Sequence, residues 1–415
     1  MGERRIIQDL LKRIIGLYVD IMSESTNKKA SNPWITSILL TLAATVVAMA
    51  QNKPVTILPI IMESLNVDIA KAGLMMSVFA LSGLLLALPA GYICQKLSPK
   101  KTILLALLFV AAGSVFGALT NSFSILLFTR FIEGAGMGLV IVAAPAFISM
   151  LFSPDEIGKP MGIFSVYMTV GTVLIFNLAP ALAKGSAWKA SWWLIAAASA
   201  VMIALVQFFA KMPEVDGAGE GEESGQPSMK DALKSKSLWM IGLAYFMFAT
   251  TLFYANTYLP TYLQKVFQME AQKASLLATI PALLGVVSAP LYGTIADKMK
   301  AKKKIMLFGL LVFAPVMAGV FLVPESMLVV MLVLWGLLVM GFPAIIMASA
   351  PETVPSVALA GIAMAILAFF QNLGGFIGPA VYGNILASQG WATTGIFLIP
   401  LGILALIFGA QVKIK

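Results

Sequence analysis

Apolar residues run along this chain in long, nearly unbroken blocks rather than in alternation with polar ones. Each block has roughly 20 residues or more, the length a helix needs to cross about 30 Å of hydrocarbon. Twelve such blocks fall near residues 35–62, 70–93, 102–120, 125–152, 161–183, 188–210, 238–263, 272–295, 305–323, 326–349, 358–386 and 392–411. Barrel strands are excluded, because they alternate faces over about ten residues. The pattern predicts an all-α polytopic membrane protein with twelve transmembrane helices.

Two stretches depart from the pattern. "GERRIIQDLLKRIIGLYVDIM" sets Ile6, Ile7, Leu10, Leu11, Ile14 and Ile15 at helical spacing, with Arg4, Arg5, Lys12 and Arg13 on the remaining face. It reads as an interfacial helix or as a helix packed on the cytoplasmic loops, and not as a secretory signal. Between the sixth and seventh blocks, "PEVDGAGEGEESGQPSMKDALKSKS" is too rich in Gly, Glu and Ser to bury a core, which makes it a linker. The expected division is a cytoplasmic N-terminal segment at 1–32, a six-helix half at 33–211, a linker at 212–237 and a second six-helix half at 238–415.

The halves resemble one another. "GYICQKLSPKKTI" at 91–103 and "GTIADKMKAKKKI" at 293–305 agree at six of thirteen positions with an offset of 202. "VTILPIIMESL" at 55–65 aligns with "NTYLPTYLQKV" at 256–266 at an offset of 201. Two repeats of six helices in one orientation imply a pseudo-twofold axis along the membrane normal.

Charge placement sets the topology. Of 28 lysines and arginines, Lys71, Lys184, Lys189, Lys265 and Lys273 fall on one side and Lys53 and Arg130 within spans; the rest share the side of both termini. That side is predicted to be cytoplasmic, in the inner membrane of a prokaryote, so the net charge of +9 faces an anionic leaflet rather than nucleic acid. The chain has no histidine and one cysteine, Cys94, which removes the common transition-metal ligands and a disulfide framework. No cofactor, metal site or enzymatic activity is expected, and nothing in the sequence calls for more than a monomer in the bilayer.

These features resemble the major facilitator superfamily along the whole chain. The G-x-x-x-D-K/R-x-G-x-K/R-K/R signature of that family's 2–3 loop is matched loosely at 91–101 and again at 293–303. "LLFTRFIEGAGMGL" in span four is similar to its arginine motif, with Arg130 followed by Glu133. The segment beginning "AQNKPVTILPIIMESL" looks like the cyanate and nitroimidazole permease branch. Two departures stand out: Gln95 replaces the signature's aspartate, which the second half retains as Asp297, and span five lacks the Gly-Pro pattern of family antiporters. The resemblance implies alternating access around a central cavity, with Arg130, Glu133, Asp297 and Gln95 in coupling or gating positions.

Lys53 stands beside Gln51, Asn52 and Pro54 in span one, roughly 5 Å from the midplane. A charge so deep costs about 2.5–3.5 kcal/mol and is expected to face a cavity or a partner. The competing reading has it snorkelling outward or pairing with Glu63 or Asp68, acids about 15 Å further along the helix. Pro54 removes a helix hydrogen bond and frees a backbone carbonyl nearby. The repeat relates Lys53 to Tyr254, near Asn256, which would set an ammonium opposite a phenol across the cavity and suit an anion. Gln371 and Asn372 in span eleven and Asn177 in span five are candidate amide contacts, and Trp335 is a candidate wall. Arg130 and Glu133, three apart, can form a self-contained pair. Glu133 is also the candidate proton carrier, a role its neighbouring arginine opposes.

The function expected first is a secondary transporter of a small, anionic solute, with proton coupling or exchange. Each negative charge moved inward against −100 mV costs about 2.3 kcal/mol, so uptake needs such a coupling. The alternative is proton-driven efflux of apolar or cationic compounds, suited by 24 methionines and 25 phenylalanines but short of a buried carboxylate other than Glu133.

Overall fold

The structure is a computed structural model that describes residues 33–86, 89–153, 156–183, 187–212, 232–355 and 359–413. The expected interfacial helix within 1–32 and most of the linker lie outside the described residues. Every regular element among the described residues is helical.

The chain enters as α1 (Pro33–Asn52), unwinds through a 3₁₀ turn (Val55–Ile57) and resumes as α2 (Leu58–Leu65). It returns through α3 (Ile69–Leu86) and α4 (Pro89–Leu97), then passes through α5 (Pro99–Leu119) and α6 (Phe123–Leu151). The fifth and sixth crossings are α7 (Gly158–Ser165) with α8 (Tyr167–Leu182), and α9 (Lys189–Phe209). After the linker come α10 (Lys236–Val266), α11 (Ala271–Met299) and α12 (Lys302–Val320). The tenth crossing combines α13 (Glu325–Leu334), a π-helical turn (Trp335–Val339) and α14 (Phe342–Ser349), and ends in a 3₁₀ turn (Ala350–Thr353). The last two are α15 (Ala360–Ile396) and α16 (Leu398–Gln411).

Among the described residues eleven helical runs are long and apolar enough to cross a bilayer. The twelfth expected crossing differs in its boundary. Helix α15 runs past the expected stop at 386 and breaks at Gly390, whose φ of 77° and ψ of 178° are open to glycine. Residues 391–411 then supply the remaining length. Large apolar side chains such as Leu108, Phe116, Phe128, Val287 and Leu311 stay more than half exposed. In water this belt would be an aggregation surface, whereas against acyl chains it is the matching solvent face.

The sequence repeat reappears in the backbone. Among the described residues four that are not glycine have positive φ, namely Asn66 (50°), Ser98 (76°), Gln268 (53°) and Lys300 (47°). They form two pairs, each separated by the same 202 residues as the loop repeat. A side-chain contact repeats as well. Lys100 Nζ donates to the Gln207 carbonyl at 2.9 Å, and Lys303 Nζ donates to the Ala410 carbonyl at 3.0 Å. In each half a lysine at the start of the third crossing thus caps the C-terminal end of the sixth, where free carbonyls and the helix dipole favour a cation.

The first six and last six crossings meet through α3 against α15, α8 against α11, and the Val55–Ile57 turn against α10 and α11. By contrast α4, α7 and the Ala350–Thr353 turn, at the linker end, pack chiefly within their own halves. The halves therefore close on each other at the membrane end opposite the linker.

The second glycine of the loop signature falls on Ser98, whose φ of 76° and ψ of 153° belong to a region that side chains avoid. Ser98→Gly is expected to stabilise the protein by about 1 kcal/mol through relief of this strain. Thermal unfolding of the purified protein in detergent checks it, and an unchanged midpoint counts against the strain.

Candidate functional site

The polar centre of the first half starts from a missing hydrogen bond. Pro54 has no N–H, so the carbonyl of Ala50 loses its partner four residues on. That carbonyl accepts from Arg130 Nη1 at 2.7 Å, and the next one, of Gln51, accepts from Arg130 Nη2 at 2.8 Å. Arg130 Nε donates to the Met75 carbonyl at 3.2 Å, and the guanidinium lies 4.4 Å from the centre of the Phe79 ring. A single side chain of α6 is thereby bonded to the broken end of α1 and to α3.

Glu133, one turn further along α6, receives what remains. Its Oε2 accepts from Arg130 Nη1 at 2.5 Å, and its Oε1 accepts from Lys53 Nζ at 2.5 Å and from the Ser114 hydroxyl at 2.7 Å. Ser114 in turn accepts from Lys53 Nζ at 3.0 Å. The Trp192 ring of α9 covers the ammonium at 4.5 Å, a cation–π contact. Lys53, Arg130, Glu133 and Ser114 are all 0% exposed. Space for the carboxylate comes from Gly113, where a Cβ would stand 2.5 Å from Glu133 Cγ. The cluster sets two basic side chains on one carboxylate, a formal net charge of +1 when both are protonated, enclosed within the membrane span.

The sequence-predicted residues are distributed as follows. Lys53 is not set opposite Tyr254. It turns into the first half toward Glu133, a partner that the sequence reading did not consider. Tyr254, also 0% exposed, turns into the second half, with its ring about 5.3 Å from those of Phe321 and Tyr382 and 5.4 Å from that of Tyr258. The Tyr254 hydroxyl has no hydrogen-bond partner. The Gln51 side chain is buried and its Oε1 is unpartnered, whereas Asn52 is partly exposed and donates to the Ala48 carbonyl and to Thr172 Oγ1, each at 3.1 Å. Asn256, Gln371 and Asn372 are partly exposed, and Asn372 Nδ2 donates to the Ala368 carbonyl at 2.9 Å. Asn177 bonds the Val173 carbonyl at 2.7 Å, and its own carbonyl accepts from Gln272 at 3.5 Å. Trp335 is fully buried at the head of the π-helical turn, with Nε1 unpartnered. Gln95 is exposed on α4 at the linker end, and the side chain of Asp297 lies outside the described residues. Among the described residues no group of His, Cys, Asp and Glu could hold a metal ion.

Ser114, Trp192 and Gly113 escaped the sequence reading. A lone serine and a tryptophan in apolar spans resemble ordinary membrane residues, and the adjacent Gly113-Ser114 pair was the one available cue.

Residues 40–356 and 270–412 match the family described as Major Facilitator Superfamily. Among curated proteins, the chain is 22% identical to a probable sulfoacetate transporter, SauU, of Cupriavidus necator over 58% of this chain and 59% of that protein. It is 24% identical to the hexuronate transporter of Bacillus subtilis over 83% of this chain and 86% of that one. It is also 24% identical to a probable nitrate transporter, NarT, of Staphylococcus carnosus over 85% and 89% of the respective chains. In structure it is similar to a bacterial homologue of the human lysosomal transporter Spinster in an inward-facing, occupied conformation, with a TM-score of 0.79, 16% identity and coverage of 92% and 97%. A mutant of the nucleoside transporter NupG gives a TM-score of 0.77 at 15% identity, covering 91% of this chain and all of that one.

Glu133→Gln leaves two cations enclosed without their counter-charge and is expected to cost about 3–5 kcal/mol. Adding Lys53→Met to that variant is expected to restore part of the loss, because one of the two orphaned charges is then gone. Thermal denaturation of the single and double variants checks the coupling, and strictly additive losses would mean that the two residues are independent.

Proposed function

The chain belongs to the Major Facilitator Superfamily and is a multi-pass membrane transport protein, not an enzyme, and from that premise we propose that it moves a small anionic solute by alternating access. The observation that carries this reading is the enclosed group of Lys53, Arg130 and Glu133, two basic side chains on one carboxylate with a formal charge of +1. At an effective dielectric of about 20, unit charges about 8 Å apart interact by about 2 kcal/mol. An anion bound at that separation from the group gains about that amount and a cation loses it. The difference of about 4 kcal/mol is roughly a thousandfold in affinity and argues against the cationic-drug alternative. The names of the relatives, which include sulfoacetate, hexuronate and nitrate transporters, point the same way.

In this reading Arg130 is structural, because the carbonyls of Ala50, Gln51 and Met75 and the Glu133 carboxylate occupy it. Lys53 acts through its charge, with the partly exposed amides of Asn52, Asn256, Gln371 and Asn372 as candidate direct contacts. Proton coupling through Glu133 requires one of its two cations to withdraw, so an anion that draws Lys53 away would make the carboxylate ready to take a proton. With both termini cytoplasmic, the closed end faces outward and the protein stands inward-facing.

A thermal-shift screen of the purified protein against small sulfonates, carboxylates and nitrate, with lipophilic cations alongside, tests the proposal, since ligand binding to the native state raises its stability. Anions are expected to stabilise. Lys53→Gln, which leaves a neutral Arg130–Glu133 pair, is expected to weaken anion binding by about thirtyfold, the equivalent of 2 kcal/mol. Stabilisation by cations alone, or anion affinity unchanged in Lys53→Gln, overturns the reading.

A further inference from the structure

We propose that Tyr258 is the gating residue of the transport cycle: its hydroxyl keys the two halves together at the end opposite the linker and must leave its slot for that end to open. The residue belongs to α10 of the second half and is 0% exposed. Its hydroxyl donates to the Pro379 carbonyl of α15 at 2.9 Å and lies 3.4 Å from the Ile69 carbonyl at the start of α3, in the first half. The slot that receives it is made by two glycines, one from each half. A Cβ on Gly73 of α3 would stand 1.8 Å from the Tyr258 oxygen, and one on Gly383 of α15 would stand 2.3 Å from it. A side chain at either position occupies the place of the hydroxyl, so closure at this end depends on the space at both.

Two hydrogen bonds across the halves lie at the same end. Gln264 Nε2 donates to the Thr56 carbonyl at 3.1 Å, and Gln272 Nε2 donates to the Asn177 carbonyl at 3.5 Å. In all three contacts the second half supplies a neutral side chain and the first half supplies a main-chain carbonyl. Such bonds impose geometry without the desolvation cost of a charge pair, which suits a contact made and broken in every cycle. Tyr258 differs from the two glutamines in being wholly enclosed and in needing a slot, and that makes it the sterically decisive member.

The test measures distance across this end. In a Cys94→Ser background, spin labels on Asn66→Cys and Gln268→Cys, both in exposed turns, report separation by electron–electron double resonance. The ligand-free protein is expected to show a short distance. Gly73→Ala is expected to shift the population to a longer distance and to lose transport in proteoliposomes, and Tyr258→Ala added to it is expected to restore the short distance. A short distance retained in Gly73→Ala, or a long distance that persists in the double variant, overturns the proposal. Should Gly73→Ala fail to fold, Tyr258→Phe decides: a partial shift to the longer distance supports the keyed hydroxyl, and a distribution and transport rate equal to those of the unmodified protein overturn it.

Discussion

Arg130 places in the middle of a membrane-spanning helix a guanidinium that keeps its proton and has five N–H groups to satisfy. Hydrocarbon offers it nothing, and a helix backbone normally has no carbonyl to spare. Pro54 supplies the exception. By interrupting α1 it leaves the Ala50 carbonyl without an amide, and the arginine takes that carbonyl, its neighbour on Gln51 and a third on Met75. Glu133, Lys53 and Ser114 then complete the network, and Trp192 covers it. Five of the six crossings of the first half are thereby joined through one polar knot, since α1, α3, α5, α6 and α9 each contribute to it. Removing Lys53 or Glu133 from it would strand a buried charge, so the network ties these crossings to one another.

The second half solves the same packing problem without charge. At the position related to Lys53 it has Tyr254, whose ring meets Tyr258, Phe321 and Tyr382, and the cluster continues through Tyr262 to Trp391. The two halves thus share turn geometry and lysine caps but differ in the chemistry of their interiors, one ionic and one aromatic. Between them the contacts are of another order. Hydrogen bonds from neutral side chains to backbone carbonyls contribute about 0.5–1.5 kcal/mol each. Several of these together amount to the few kcal/mol that separate two populated conformations of a protein.

Much of the architecture was legible in the residues. Block length and uniform apolarity dictate helices that cross the membrane, because each backbone polar group must be satisfied within its own segment. The repeat was readable from two short alignments, and the structure returns it as paired left-handed turns and paired lysine caps. The boundary between the eleventh and twelfth crossings moved because Gly390 rather than the apolar pattern breaks that helix. The freed carbonyl next to Pro54 was also foreseeable, since it follows from covalent structure alone.

The direction in which Lys53 points was not foreseeable. Depth along a helix follows from counting residues at 1.5 Å each, but facing depends on which neighbour approaches, and that neighbour is 80 residues away in sequence. Glu133 could be read as the partner of Arg130 because three residues of helix place them on one face. Its second cation comes from the end of α1, and the serine between them and the slot that Gly113 opens come from α5, so no spacing along α6 records them. The sequence by itself determined the membrane, the twelve crossings, the two related halves and the presence of charges that hydrocarbon would not leave alone. Tertiary structure decided which charges answer one another, because burial penalises an unpaired ion so heavily that pairing follows three-dimensional proximity and not order along the chain.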